Sequence, residues 1–305
     1  MDSISQAAET VRSELPSVRL RLNERMSGHT TLRIGGPARV MYFPESAGEL
    51  TELCRILHGL GVTPLILGNG SNVLVCDAPM DIAVIKTTGL CGLELSSEGE
   101  ITAGSGVPLS RLAVYACQHG LSGLEFAHGI PGTLGGAVLM NAGAYGKEIG
   151  EVVCSTNAYS AEKGEFETTG DMHLFSYRHS VFTGTESVLL STSVRLKKDD
   201  TEAIHARMED LAARRSESQP LELPSAGSVF KRPKGGYAAR FIEDAGLKGY
   251  TVGGAQVSLK HAGFIVNLGN ASYSDMLSVI NHVQETVLKR FGVELELEVK
   301  VIRGA

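Results

Sequence analysis

Glycine placement constrains this chain more than any other feature. The 305 residues include 36 glycines, about 12% where about 7% is usual, and they are clustered rather than periodic. One stretch, residues 129–146, holds six of them: Gly129, Gly132, Gly135, Gly136, Gly143 and Gly146. A glycine inside a helix or strand costs up to about 1 kcal/mol relative to alanine, and structural punctuation needs only one or two. So bare a stretch is read as a loop whose backbone closely approaches something flat or phosphorylated. A second cluster, Gly68-Asn69-Gly70-Ser71-Asn72, follows the apolar run 64–67. It is either a cradle of backbone N–H donors for a diphosphate or a plain hairpin turn, for which Asn-Gly is a strong signal. It is neither a P-loop nor a strand-to-helix G-x-G-x-x-G.

Between the clusters the chain reads as an ordinary globular protein, with 43% hydrophobic and 20% charged residues. Its length predicts about two domains. A net charge of −6 argues against a nucleic-acid footprint or an anionic membrane surface. No apolar run approaches the roughly 20 residues that span a bilayer. The first residues carry Asp2, Glu9, Arg12 and Glu14 and do not read as a secretory signal. The five cysteines are odd in number and form no C-x-x-C pair, which points to a reducing, cytoplasmic compartment without a disulfide framework or zinc site. No His, Asp and Glu cluster has metal-ligand spacing.

Periodicity places helices at 46–60, 109–118, 199–216, 238–245 and 273–291, and strands at 38–43, 64–67, 73–76, 82–86, 152–159, 165–169, 188–196, 251–257, 263–267 and 294–301. Residues 218–228 read as a polar loop. A composition shift near residue 198 divides the chain, and both halves read as α+β. In the last strand Leu295, Leu297, Val299 and Val301 alternate with Glu294, Glu296, Glu298 and Lys300, putting the charges on one face. A third glycine site, Ala226-Gly227-Ser228-Val229-Phe230-Lys231-Arg232-Pro233, sets a serine beside two cations. Ser228 is either a turn residue or a proton donor made useful by a nearby cation or developing carbanion.

Five segments occur in order: Gly68-Asn69-Gly70-Ser71-Asn72; Pro131-Gly132-Thr133-Leu134-Gly135-Gly136-Ala137 with Asn141-Ala142-Gly143-Ala144-Tyr145-Gly146; Tyr177-Arg178-His179-Ser180-Val181-Phe182; Gly227-Ser228-Val229-Phe230-Lys231; and Glu298-Val299-Lys300-Val301. Together they resemble the UDP-N-acetylenolpyruvoylglucosamine reductases, or UDP-N-acetylmuramate dehydrogenases, over about residues 30–301. The resemblance implies an FAD-binding fold of the vanillyl-alcohol oxidase type in two subdomains, residues 30–198, behind an N-terminal extension, residues 1–29. A smaller α+β substrate-binding domain, residues 199–305, follows. Only about 50 residues separate Arg178 from Ser228, too few for the tyrosine-bearing loop of some members, so the chain resembles the type II subgroup.

The resemblance also implies a reaction: NADPH reduces non-covalent FAD, which then reduces UDP-N-acetylglucosamine-enolpyruvate to UDP-N-acetylmuramate for peptidoglycan. Ser228 matches the family's proton donor, Arg178 the arginine at the substrate carboxylate and Glu298 the catalytic glutamate. Gly68, Asn69, Gly70, Ser71 and Asn72, with Gly129, Ile130, Pro131, Gly132 and Thr133, are expected at the FAD diphosphate. Gly136, Asn141, Gly143, Ala144 and Tyr145 are expected along the remainder of the cofactor. Tyr177, Lys231, Arg232, Tyr237, Gln256 and Lys260 are candidates for the sugar nucleotide. Cys76 and Cys91 are expected to be core thiols, and His261 a packed turn residue. Two competing readings are another FAD oxidoreductase acting on an alcohol or sugar, and a sugar-nucleotide binding protein without turnover.

Overall fold

The computed structural model describes residues 2–96 and 99–304. The chain folds as two compact units: residues 1–22, 39–69 and 82–213 form the first, and residues 23–38, 70–81 and 214–305 the second.

The first unit has two apolar centres. At the N-terminal end, helix α1 (Ser3–Glu14) is capped by Asp2, whose carboxylate accepts from the Ser5 amide. Helix α2 (Ala47–Gly59) is capped by Ser46 and buries Leu50, Leu53, Ile56 and Leu57. The two helices pack with Val40, Tyr42 and Ile85 from a sheet ordered Arg19–Arg25, Pro37–Phe43, Met80–Lys86 and Leu65–Leu67. Leu65–Leu67 runs parallel to Met80–Lys86, with Leu67 opposite Lys86.

The second centre lies on a five-stranded antiparallel sheet ordered Gly164–Thr169, Val153–Ser160, Val188–Arg195, Glu100–Gly104 and Leu93–Leu95. Helix α3 (Leu109–Gln118) and helix α4 (Leu134–Met140) bury Leu112, Leu134 and Val138 together with Ile101 and Val194. Helix α5 (Thr201–Ser218) adds Ile204 and Met208 to this core. That burial moves the division from the expected residue 198 to 213: the first turns of α5 belong with the residues they are buried among. A further difference is α4 itself, a helix inside the stretch read as loop. Gly135 faces the 105–107 segment so closely that a Cβ there would sit 2.8 Å from Ser105 Cβ. Glycine here permits packing, and the packing offsets its poor helix propensity.

In the second unit, a four-stranded antiparallel sheet is ordered Ser225–Ser228, Phe264–Asn267, Ala255–Val257 and Thr251–Val252. Helix α6 (Ala238–Asp244) and helix α7 (Tyr273–Phe291) complete its core. On α7, Met276, Val279, Ile280, Val283 and Val287 form the buried stripe; each larger side chain contributes about 1.5–3 kcal/mol of burial. A Ser272–Asp275 capping box starts α7, and Gly292 at φ +66° ends it. Three expectations shift. Residues 225–228 are a strand rather than loop. The run 251–257 is a hairpin, folded at Gly253-Gly254. Of 294–301 only the end is regular strand, Lys300–Ile302, paired in parallel with Val73–Val75.

Candidate active site

In the first unit Gly68 and Asn69, the start of one glycine cluster, meet Pro131 and Thr133 of the other. Gly68 leaves the apolar strand Leu65–Leu67, and a Cβ on it would stand 2.4 Å from the Thr133 hydroxyl. Asn69 Nδ2 donates to the Pro131 carbonyl at 2.6 Å. Thr133 is buried and starts α4, while Gly136, one turn on, is exposed, and a Cβ on it would stand 3.7 Å from the Thr133 hydroxyl, an ordinary contact. The result is a turn-on-turn surface largely stripped of side chains, the kind of surface on which a flat or phosphorylated group meets backbone. Beneath it lies a residue that the sequence reading missed. Lys86 is buried, and its Nζ donates to the Gly68 carbonyl at 2.6 Å. Burial pushes its pKa down from 10.5 to about 8. A lysine closing the apolar strand 82–86 was the only available signal. Two turns poor in side chains, with a buried ammonium held at the Gly68 carbonyl, suit an anionic dinucleotide.

The next residues serve a different purpose. Gly143 and Ala144 pair antiparallel with Glu148 and Lys147, leaving Tyr145 and Gly146 as the tip of a hairpin, at φ +56° and +79°. Two positive-φ residues make the tight primed turn that suits twisted strands, so this part of the glycine cluster has a structural use. Tyr145 Oη donates to the Leu211 carbonyl at 3.2 Å. The Asn141 side chain is buried within the protein's own hydrogen bonds, to Glu148, Ser176 and Gly150.

Arg178 sits in a two-residue turn of its own. The amides of Ser176 and His179 each donate to the other's carbonyl at 3.1 Å, with Tyr177 and Arg178 between. Arg178 has φ +56°, and its guanidinium lies 5.1 Å from the Tyr177 ring centre. Behind the turn, buried His173 stacks on Phe175 at 4.9 Å and meets the edge of Phe182. Its ring nitrogens contact the Gly170 carbonyl and the Thr156 hydroxyl, and burial lowers its pKa.

The second unit brings Ser228 and Glu298 onto adjoining segments. Ser228 follows Gly227, which bulges the strand at φ +74°. The Val229 carbonyl accepts from the Glu298 amide at 2.8 Å, Phe230 bridges Leu297, and the Lys231 amide donates to the Glu296 carbonyl. The Ser228 hydroxyl donates to the Phe230 carbonyl at 3.1 Å. Glu298 is half-buried, whereas Glu296 is exposed and pairs with Lys231 at 3.2 Å. This distinguishes two glutamates that periodicity alone leaves equivalent. Asn72 Nδ2 donates to the Glu298 carbonyl at 3.1 Å, and the Gly70 carbonyl accepts from the Thr31 amide. At Gly70, φ +63° and a Cβ that would stand 2.2 Å from the His29 carbonyl both demand glycine.

The remaining candidates in this unit are dispersed. Arg232 lies 4.3 Å over the Tyr237 ring. Gln256 donates to the Thr251 hydroxyl across the hairpin, and the Lys260 ammonium donates to the Ser216 carbonyl. His261 accepts from the Gly263 amide and packs edge-on against Phe264, as a turn residue. All five cysteines are free, and Cys91 is exposed rather than in the core. Among the described residues no cluster could hold a metal ion, and no helix is long and apolar enough to cross a membrane.

Comparison with known proteins identifies the family. Residues 38–170 match the family model "FAD binding domain", and residues 219–302 match "UDP-N-acetylenolpyruvoylglucosamine reductase, C-terminal domain". The UDP-N-acetylenolpyruvoylglucosamine reductase of Caldanaerobacter subterraneus subsp. tengcongensis is 44% identical over 96% of this chain and 97% of its own. That of Pediococcus pentosaceus is 44% identical over 96% and 98%. The crystal structure of the Thermus caldophilus reductase superposes with a TM-score of 0.80 at 34% identity, covering 94% of this chain and 99% of the other. A solved alkyldihydroxyacetonephosphate synthase, at 15% identity, shares the fold over 64% of this chain and 40% of its own, with a TM-score of 0.50.

Proposed function

Because the chain belongs to the UDP-N-acetylenolpyruvoylglucosamine reductase family, and so is an FAD-binding oxidoreductase, we propose that it reduces UDP-N-acetylglucosamine-enolpyruvate to UDP-N-acetylmuramate with NADPH, in the cytoplasm, for peptidoglycan. Bound FAD supplies the hydride chemistry, between NADPH and C3 of the enolpyruvyl ether. The Gly68–Asn72 loop, residues 129–133 and Gly136 hold the diphosphate and what adjoins it. Lys86 adds positive charge, and Gly143, Ala144 and Tyr145 form a wall.

The substrate's needs follow from its charge. Hydride arrival at C3 leaves negative charge at C2, spread into the carboxylate. Arg178 receives that carboxylate with a planar, permanently charged fork. Ser228 delivers a proton to C2 and is reprotonated from solvent. Glu298 acts beside the developing enol as a protonated or hydrogen-bonded carboxyl, because a bare carboxylate would oppose the charge it faces. Tyr177, Lys231, Arg232, Tyr237, Gln256 and Lys260 are assigned to the sugar nucleotide.

The observation that supports this reading most directly is the Val229–Glu298 backbone bond, which sets the proton donor and the glutamate on neighbouring segments. The test uses absorbance without oxygen. Purified protein is expected to be yellow, to bleach with NADPH and to regain colour with the enolpyruvyl substrate. Reoxidation by oxygen but not by that substrate would refute the assignment.

A further inference from the structure

We propose that Asn141 is a positioning residue for Arg178 and makes no contact with cofactor. The proposal rests on the reading of Arg178 as the substrate-carboxylate residue.

Asn141 is 1% exposed and its side-chain hydrogen bonds are made within the protein. Nδ2 donates to Glu148 Oε2 at 2.8 Å and to the Ser176 carbonyl at 3.0 Å; Oδ1 accepts from the Gly150 amide at 3.0 Å. Both amide hydrogens are used, so the group has no donor left for a ligand. The network also fixes which way the amide points, since a flip would set N–H against the Gly150 N–H. The backbone adds a second reason for this residue type: Asn141 closes α4 at φ +43°, ψ 58°, a left-handed conformation that asparagine adopts more readily than most.

Ser176 is the residue that enters the Tyr177-Arg178 turn. Its carbonyl accepts both from His179 N, closing the turn, and from Asn141. Arg178 itself is a non-glycine residue at φ +56°, a conformation that persists only when its surroundings over-determine it. The surroundings do so. Ser180 Oγ and Thr183 Oγ1 both donate to the Leu139 carbonyl, at 2.9 and 3.0 Å. The Val181 amide donates to the His173 carbonyl at 2.7 Å. The last residues of α4 thus grip both sides of the turn, Asn141 before it and Leu139 after it. Of the two attachments to α4, the asparagine's is the one on the entering side, at Ser176, next to Tyr177 and Arg178.

Asn141→Gly is the direct probe, because glycine keeps the left-handed backbone without strain and removes only the side chain. A second variant guards against loss of folding. In Asn141→Asp with Glu148→Gln, the amide at position 148 can donate to the carboxylate, which still accepts from the Gly150 amide, while the donor to the Ser176 carbonyl is replaced by an oxygen that repels it. The holoenzyme is studied by single-turnover absorbance, with NADPH for bleaching and the enolpyruvyl substrate for recovery. FAD affinity is read by flavin fluorescence. Both variants are expected to keep FAD affinity and the bleaching rate. Recovery is expected to slow by about 10- to 100-fold, the scale of a small misplacement of a reacting-site group. In an Arg178→Ala background the same changes are expected to add no further loss.

Weakened FAD binding, unchanged recovery, or a loss that multiplies with that of Arg178→Ala would overturn the proposal. The underlying reading fails separately: Arg178→Ala alone would then recover colour at the normal rate.

Discussion

Replacing Lys86 by methionine should make the unliganded protein more stable at neutral pH while weakening its hold on FAD. The magnitude follows from burial. A pKa lowered from 10.5 to about 8 corresponds to about 3 kcal/mol of penalty on the ammonium. The bond to the Gly68 carbonyl returns about 1.5–3 kcal/mol, as hydrogen bonds to charged groups do, so the net gain from Lys86→Met at pH 7 is roughly 0–2 kcal/mol. The pH dependence is the sharper quantity. Between about pH 8 and 10.5 the unfolded chain binds more protons at this lysine than the folded one, so the wild type gains stability as pH rises through that window. The variant lacks this gain. Urea midpoints of the two apoproteins, compared at pH 7.5 and pH 10, should therefore converge in favour of the wild type by about 2 kcal/mol. FAD titration at pH 7 should show affinity in the variant reduced about 5- to 30-fold, equivalent to about 1–2 kcal/mol. A stability gap that is flat with pH would refute the depressed lysine. Unchanged FAD affinity would separate the ammonium from the cradle.

Three further outcomes are expected. Ser228→Ala should leave NADPH bleaching nearly intact and slow recovery of colour by about 10²–10⁴-fold, the span of general acid catalysis; equal slowing of both phases would contradict its role as donor. Glu298→Ala should lower steady-state turnover by a similar factor, with Glu298→Gln milder because an amide can still hydrogen-bond to the enol; near-full turnover in the alanine variant would refute the assignment. Gly68→Ala drives a methyl to 2.4 Å from the Thr133 hydroxyl and should destabilise the protein by about 1–3 kcal/mol with loss of FAD, both partly restored by adding Thr133→Ala, as differential scanning calorimetry and fluorescence would show.

Much of the fold was legible because it follows periodicity. Helices 109–118 and 273–291 match Leu109–Gln118 and Tyr273–Phe291, whose apolar stripes are long and whose ends carry clear signals. What periodicity could not reach depends on contacts distant in sequence. Helix α4 is hidden because one of its glycines, Gly135, is there for packing against Ser105, a partner 30 residues away in the sequence. The strand at 225–228 exists only because Phe264–Asn267 lies alongside it. In the candidate site, the meeting of the Gly68 and Gly129 clusters follows from what the resemblance implies, both at the FAD diphosphate, because composition alone leaves the Gly68 cluster open between a cradle and a plain turn. Lys86 and the grip on the arginine turn were not anticipated, since each is defined by one carbonyl oxygen that no pattern announces. Asn141 is placed along the cofactor by the resemblance, whereas its side-chain hydrogen bonds run to Glu148, Gly150 and the Ser176 carbonyl of the adjacent turn.

Helix α4 runs from Thr133, beside Gly68, to Leu139 and Asn141, beside the Arg178 turn. Its seven residues measure about 10 Å at 1.5 Å each. Being helical, the stretch is indifferent to many substitutions on its open side but not to a change in length: one residue added or removed would swing everything beyond it through about 100°. Insertions and deletions between 134 and 140 should therefore be far less tolerable than side-chain replacements there, because this short rod acts as a gauge block between the Gly68 loop and the Arg178 turn.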